Sequence, residues 1–286
     1  MPQFTKGDVE YGSSNKKLPI VLCLDVSASM SYPSGLGKAR YEVQNDAVEA
    51  FISSIVSVPK ALASAEIAVI AFADEVWYET EFTPIRSLSF PKCSKEGLDV
   101  SYKQTSATYE KNNRAEVVSY HTPLFKHVPG QLGGTMYPTS LCPAINRAIK
   151  KIDKWLLEKG SNPHYAPFII FSTDCDQQNG MIDNAFEKQA TKELIRKHLN
   201  APKLENSIIP FFIGIGSDCC KSDLREYAGD FEDGCIILDN LKNFVNLFRC
   251  IADCIAKTMT YVESREQNKS ILDAIRDIIE DWDELS

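Results

Sequence analysis

No stretch of the sequence approaches the uninterrupted apolar length of a membrane-spanning helix. Residues 1–17, MPQFTKGDVEYGSSNKK, hold no apolar segment of the kind a secretion signal needs. These two absences lead to the expectation of a cytoplasmic protein with no membrane partner. An excess of basic residues is also missing: 31 Lys and Arg stand against 39 Asp and Glu, a formal charge of −8. A groove built on phosphate contacts, and with it a nucleic-acid partner, is therefore not expected. The phosphate-cradling pattern G-x-x-x-x-G-K-[ST] does not occur, and neither does the G-x-S-x-G elbow of serine hydrolases. Gly214-Ile215-Gly216 follows a strand-like run but lacks the third glycine of a dinucleotide fingerprint. Cysteine is plentiful, yet its usage argues against a disulfide framework. The nine cysteines are odd in number, and several sit inside apolar runs such as VLCLD and GCIIL. Small buried hydrophobes in a reducing compartment explain that pattern. Cys219 and Cys220 are adjacent rather than spaced as a zinc knuckle, and Cys250 and Cys254 lie one helical turn apart, as on a packed face.

What is present is an ordinary globular composition, 44% apolar and 24% charged. PIVLCLD (19–25) is a continuous apolar run ending in an acid, the pattern of a strand buried on both faces. Val43, Ala47, Ala50, Phe51, Ser54 and Ile55 then recur at three- and four-residue intervals, which predicts a helix over 38–57. AEIAVIAFAD (65–74) reads as the next buried strand. VWYETEF (76–82) follows so closely that it must pair antiparallel with it. Helices over 139–158, 183–199, 221–228 and 241–258 alternate with strands over 167–173, 207–216 and 235–239. Strands with apolar rather than alternating patterns, separated by helices, specify an α/β three-layer sandwich. Its central sheet is mostly parallel, with one antiparallel edge strand and helices on both faces. The expected division is a loose lead-in (1–17), one domain (18–258) and an acidic C-terminal helix (259–286). In that last helix Ile271, Leu272, Ile275, Ile279 and Trp282 keep helical spacing. Within the domain, residues 83–134 are rich in proline and poor in periodicity, and read as a long irregular insert.

The chemistry gathers where strands end. Ligands of parallel sheets collect at the strands' carboxyl ends. Asp25, Ser27 and Ser29 lie just past the first strand, Thr173 and Asp174 just past FIIFS, and Thr135 and Thr139 in the loop that opens helix 139–158. Only oxygen donors are offered, and few of them are carboxylates, which suits Mg²⁺ or Mn²⁺ far better than zinc. A cation held on one side could take an acidic side chain from a partner on its open side. Turn and helix-cap roles are the plainer reading of D-x-S-x-S taken alone. A phosphatase of the haloacid-dehalogenase kind would need a second acid two residues after Asp25, and Ser27 stands there instead.

LPIVLCLDVSASM, GGTMYPTSLCPAI, FIIFSTD and FFIGIGSDCCKSDLREYAG together resemble the von Willebrand factor type A (VWA) family over roughly residues 18–258. The resemblance implies that family's Rossmann-like fold and its metal-ion-dependent adhesion site, carried here by Asp25, Ser27, Ser29, a threonine and Asp174. Mg²⁺ would be held directly by hydroxyls, with the aspartates acting largely through water. Thr139 fits the family's spacing, since Ala144 and Ile145 follow it, and Thr135 is the alternative. Ala28 and Cys175 replace glycines common in the family, and some forty residues are inserted before the threonine loop. LPIVLCLDVSASMS and TSLCPAI look most like small bacterial cytoplasmic members related to the tellurium-resistance group, encoded beside kinases and phosphatases in stress and defence loci. The function this implies is a non-enzymatic, Mg²⁺-dependent protein-binding module whose partner supplies Asp or Glu. A scaffold with a degenerate, metal-free site, binding through the insert and the terminal helix, is the alternative.

Overall fold

The computed structural model describes residues 16–88, 90, 93–95, 98–111, 114–127, 139–160, 162–174, 183–199, 207–215, 221–228, 234–238 and 241–261. The C-terminal helix expected over 259–286 lies outside the described residues beyond Tyr261, as do Thr135, Cys175 and the Cys219-Cys220 pair.

The strand β1 (Leu18–Asp25) is buried along its whole length. It lies between two parallel neighbours, β2 (Ala65–Phe72) and β8 (Phe168–Thr173). Beyond β8 the sheet continues in parallel through β9 (Ile209–Ile215) and β10 (Cys235–Leu238). On the other side β3 (Val76–Glu79) and the short β4 (Thr83–Pro84) pair antiparallel with β2. The order is β10-β9-β8-β1-β2-β3. The mostly parallel sheet with an antiparallel edge is therefore the one that the apolar runs specify, because strands covered on both faces need no polar alternation.

Two cores result, and the parity of β1 separates them. Leu18, Ile20, Leu22 and Leu24 face one core, built with α1 (Arg40–Ser57) and α6 (Phe244–Tyr261). Val21 and Cys23 face the other, built with α3 (Leu141–Lys159), α4 (Ala185–Leu199) and α5 (Lys221–Ala228). A short helix, α2 (Pro59–Ser64), which the periodicity did not signal, starts on Pro59 and leads directly into β2. Proline suits a first helical turn because its missing N–H has no partner there in any case. Cys23, Cys142, Cys235 and Cys254 are buried and Cys250 is half-buried, in keeping with cysteine used as core packing.

The expected irregular insert is largely a β-hairpin. β6 (Leu98–Lys111) and β7 (Arg114–His127) pair antiparallel over almost their full length, and β5 (Cys93–Lys95) adds a short third strand. Its root buries Leu98, Val100, Val118, Tyr120 and Phe125 against the α1 side of the main core. Beyond that root the hairpin carries much exposed polar surface: Lys103, Gln104, Ser106 and Thr108 on β6 are exposed, and on β7 exposed Val117 and Ser119 alternate with buried Val118 and Tyr120. That exposed polar surface diluted the apolar signal. Of the expected lead-in only Lys16 and Lys17 fall among the described residues, and the Lys17 carbonyl accepts a hydrogen bond from the Tyr165 N–H (2.8 Å).

Candidate metal-binding site

Adjacency of β1 and β8 brings Asp25 and Asp174 to one end of the sheet, at the point where the chain turns to opposite sides of β1. Such a switch point opens a crevice at the strands' carboxyl ends. The side chains there form one hydrogen-bonded chain. Thr173 donates from Oγ1 to Asp25 Oδ2 (2.5 Å), and the Ser27 N–H donates to Asp25 Oδ1 (2.7 Å). Ser27 Oγ and Ser29 Oγ lie 3.1 Å apart, and Ser29 Oγ donates to Asp174 Oδ1 (2.9 Å). The turn that presents the serines is a single 3₁₀ segment, Ala28–Ser31. It is closed by the Met30 N–H on the Ser27 carbonyl and the Tyr32 N–H on the Ser29 carbonyl. The even spacing of acid, serine and serine thus becomes one inward-facing set. All five residues are buried, at 0 to 2% exposure.

Two carboxylates so placed repel each other. Burial first, and the neighbouring Asp174 charge second, push the Asp25 carboxyl up to about 7, against the pull of its hydrogen bonds from Ser27 and Thr173. The site therefore favours positive charge. One source of it is already present, since Arg40, the first residue of α1, donates from Nη1 to Asp174 Oδ2 at 2.7 Å.

Thr139 is buried at the same end of the molecule. Its neighbour Ser140 donates its N–H to the Ala73 carbonyl just past β2 (2.8 Å). Among the described residues no hydrogen bond joins the Thr139 side chain to the Asp25–Asp174 chain. Asp183 fixes this loop from a distance. Its carboxylate accepts from the Leu141 N–H (3.0 Å), from the Ser140 hydroxyl and from Tyr227 OH (2.8 Å). It thereby caps α3 at the end where the helix dipole favours an anion. Asp183 was expected to open helix 183–199. That helix is capped instead by Asn184, whose Oδ1 accepts from the Glu187 N–H.

Two further residues escaped the sequence reading. Gln44 is fully buried, donates from Nε2 to the Asp25 carbonyl (3.0 Å) and accepts from Ser172 Oγ (2.7 Å), pinning the ends of β1 and β8 to α1. It falls on the buried stripe of α1 beside Val43, Ala47 and Val48, and a polar residue on that stripe was the available signal. For Arg40 the signal was a base in a helix's first turn, where acids are favoured. Among the described residues no group of three or more His, Cys, Asp or Glu side chains gathers. A cation at this site would thus rest on hydroxyls and two carboxylates. That oxygen-only set fits a hard ion such as Mg²⁺ or Mn²⁺ and not zinc.

Residues 20–127 match the family described as the von Willebrand factor type A domain. The match includes Asp25, Ser27 and Ser29 and stops short of Thr139 and Asp174. No curated protein matches the chain in sequence. Among solved structures, the pilus adhesin SpaC from Lactobacillus rhamnosus GG is similar over 85% of this chain and 31% of its own. The two are 11% identical, with a TM-score of 0.50. Proximal thread matrix protein 1 from the mussel byssus aligns over 85% of this chain and 49% of its own (12% identical, TM-score 0.46). The ArnB paralog VWA2 from Sulfolobus acidocaldarius aligns over 83% and 45% (12% identical, TM-score 0.41). The chain spans less than half the length of each of these proteins. The adhesin's likeness bears on the fold alone. With the order of the sheet it bears out the α/β architecture, and the family similarity itself rests on residues 20–127.

Proposed function

We propose that this chain is a cation-dependent protein-binding module in which Asp25, Ser27, Ser29, Thr139 and Asp174 hold Mg²⁺ or Mn²⁺. The observation that carries the reading is the unbroken hydrogen-bonded chain from Asp25 through Ser27 and Ser29 to Asp174, buried at the carboxyl ends of adjacent parallel strands. When bound, the ion supplies an open coordination position that a partner's Asp or Glu can complete. The protein's own part is positional. Thr173 and the Ser27 N–H orient Asp25, Gln44 holds the backbone beneath it, and Asp183 fixes the start of α3 beside Thr139. No general acid is required of any residue, so binding rather than turnover is the proposed activity. The likeness of LPIVLCLDVSASMS and TSLCPAI to small bacterial cytoplasmic members supports a cytoplasmic stress-response or defence setting. It also supports a kinase or phosphatase of the same locus as the partner.

The test is calorimetric titration of EDTA-stripped protein with Mg²⁺ and Mn²⁺, on the wild type and on Ser29→Ala. Saturable binding in the wild type that weakens at least tenfold in the variant is the expected result. A second reading, a metal-free scaffold, is favoured by one observation: the Arg40 guanidinium already neutralises Asp174. Absence of binding heat with either ion would select that reading.

A further inference from the structure

Arg40 is out of place by ordinary helix logic. It opens the 18-residue α1, where the unpaired N–H groups and the dipole favour acids, and Glu42 in the same turn obeys that rule. What it obtains there is Asp174. One Asp174 oxygen accepts from Ser29 and the other from the Arg40 guanidinium. The Asp174 side chain has no exposed surface, whereas that of Arg40 keeps 17%. Arg40 therefore enters the site from its rim. At that rim its carbon already lies 5.9 Å from the centre of the exposed Tyr32 ring while the guanidinium sits on Asp174. The Arg40 N–H donates to the Tyr32 carbonyl (3.0 Å), and a Pro33–Ala39 bridge closes the loop between the two residues. In that loop Gly35 and Gly37 take φ values of +80° and +75° that side chains disfavour. Tyr32 is thus kept beside Arg40 wherever the guanidinium points.

We propose that Arg40 is a built-in competitor of the bound cation: guanidinium and divalent ion alternate on Asp174, and ion binding releases Arg40 to the rim beside Tyr32. The inference rests on the cation-binding reading given above. A guanidinium and a divalent ion drawn to one buried carboxylate repel each other. Asp174 with Arg40 in place is a poorer ligand than Asp174 alone, so the ion must arrive at a concentration high enough to displace an intramolecular rival. Arg40 then sets the threshold of the site, and the coupling is reciprocal, since whatever draws Arg40 outward tightens ion binding.

The experiment is Mn²⁺ titration of EDTA-stripped wild type, Arg40→Gln and Arg40→Lys, followed by calorimetry. It is paired with NMR of the arginine Nε–Hε signals in the wild type during titration with diamagnetic Mg²⁺. Arg40→Gln is expected to bind Mn²⁺ at least tenfold more tightly than the wild type, with Arg40→Lys, which keeps the charge, between them. The Arg40 signal, assigned by its loss in Arg40→Gln, is expected to shift as Mg²⁺ saturates. Equal or weaker binding in Arg40→Gln would overturn the competition and leave the cation site standing. So would an Arg40 signal unmoved at Mg²⁺ saturation, a measurement that needs no variant beyond the assignment. If no protein in the series binds either ion, the cation-binding reading itself fails, and the competition fails with it.

Discussion

Gln44 shows how much of this site hangs on a residue that would never touch a ligand. Its amide spans from the Asp25 carbonyl to the Ser172 hydroxyl with no exposure to solvent. Gln44→Leu keeps the volume and strands both partners. Each buried polar group left alone costs about 1–3 kcal/mol. Urea denaturation of the variant should therefore show a loss of roughly 2–4 kcal/mol, together with weaker Mn²⁺ binding; an unchanged midpoint would remove Gln44 from the site's support. His198 offers a different test. Burial lowers its pKa below 6.5, against the raising effect of Asp153, and its ring helps line a small apolar cavity with Ile145, Ile195 and Phe212. A depressed folded pKa means the folded state binds the proton less readily than the unfolded one. The stability contribution is therefore complete above the unfolded value and is lost as pH falls through the folded one. Comparing urea midpoints at about pH 7.5 and about pH 5.5 should show a drop for the wild type and a smaller drop for His198→Leu. Equal drops would disprove the assignment.

At the scale of elements, the hairpin β6–β7 is the part of the chain that departs most from expectation. It is held to α1 by Asn45, whose Nδ2 donates to the Phe125 carbonyl (2.8 Å) while its Oδ1 accepts the Phe125 N–H (3.1 Å). An amide that imitates a strand neighbour in this way satisfies two buried backbone groups at once. Asn45→Ala should cost about 2–4 kcal/mol, and hydrogen exchange should accelerate over 98–127 while β1 and β8 stay protected. Uniform acceleration would mean that the hairpin is not a separable unit. The buried strands and most helices are legible in the sequence because their patterns are strong: β1, β2 and β8 are buried throughout and almost wholly apolar, and α3 repeats Leu141, Ile145, Ala148, Ile149 and Ile152. Asp25, Ser27, Ser29 and Asp174 lie together because the ends of adjacent parallel strands converge by topology. The hairpin was illegible because half its residues face water and its prolines suggested loop. Asp183 and Asn45 are illegible because each bonds the backbone of an element 40 to 80 positions away in sequence, where no local pattern can point.

At the scale of the whole molecule, an ion that binds only the folded state stabilises all of it. At an ion concentration about a hundred times the dissociation constant, linkage gives about 2.7 kcal/mol. For a chain of this size that raises the melting temperature by roughly 5 °C. Mg²⁺ should produce that shift in the wild type and EDTA should reverse it, whereas Ser29→Ala, binding at least tenfold more weakly, should show about half that shift or less. An identical melting curve in Mg²⁺ and EDTA would count against a cation site of useful affinity.

Within little more than one turn, α1 carries Arg40 on Asp174, Gln44 on Asp25 and Asn45 on the hairpin. A helix is stiff along its axis, so these three grips share one axle. A force applied to the tip of β6–β7 would be felt as a rotation or slide of α1, and so at both aspartates together. A load on the hairpin would then reach the crevice by way of α1.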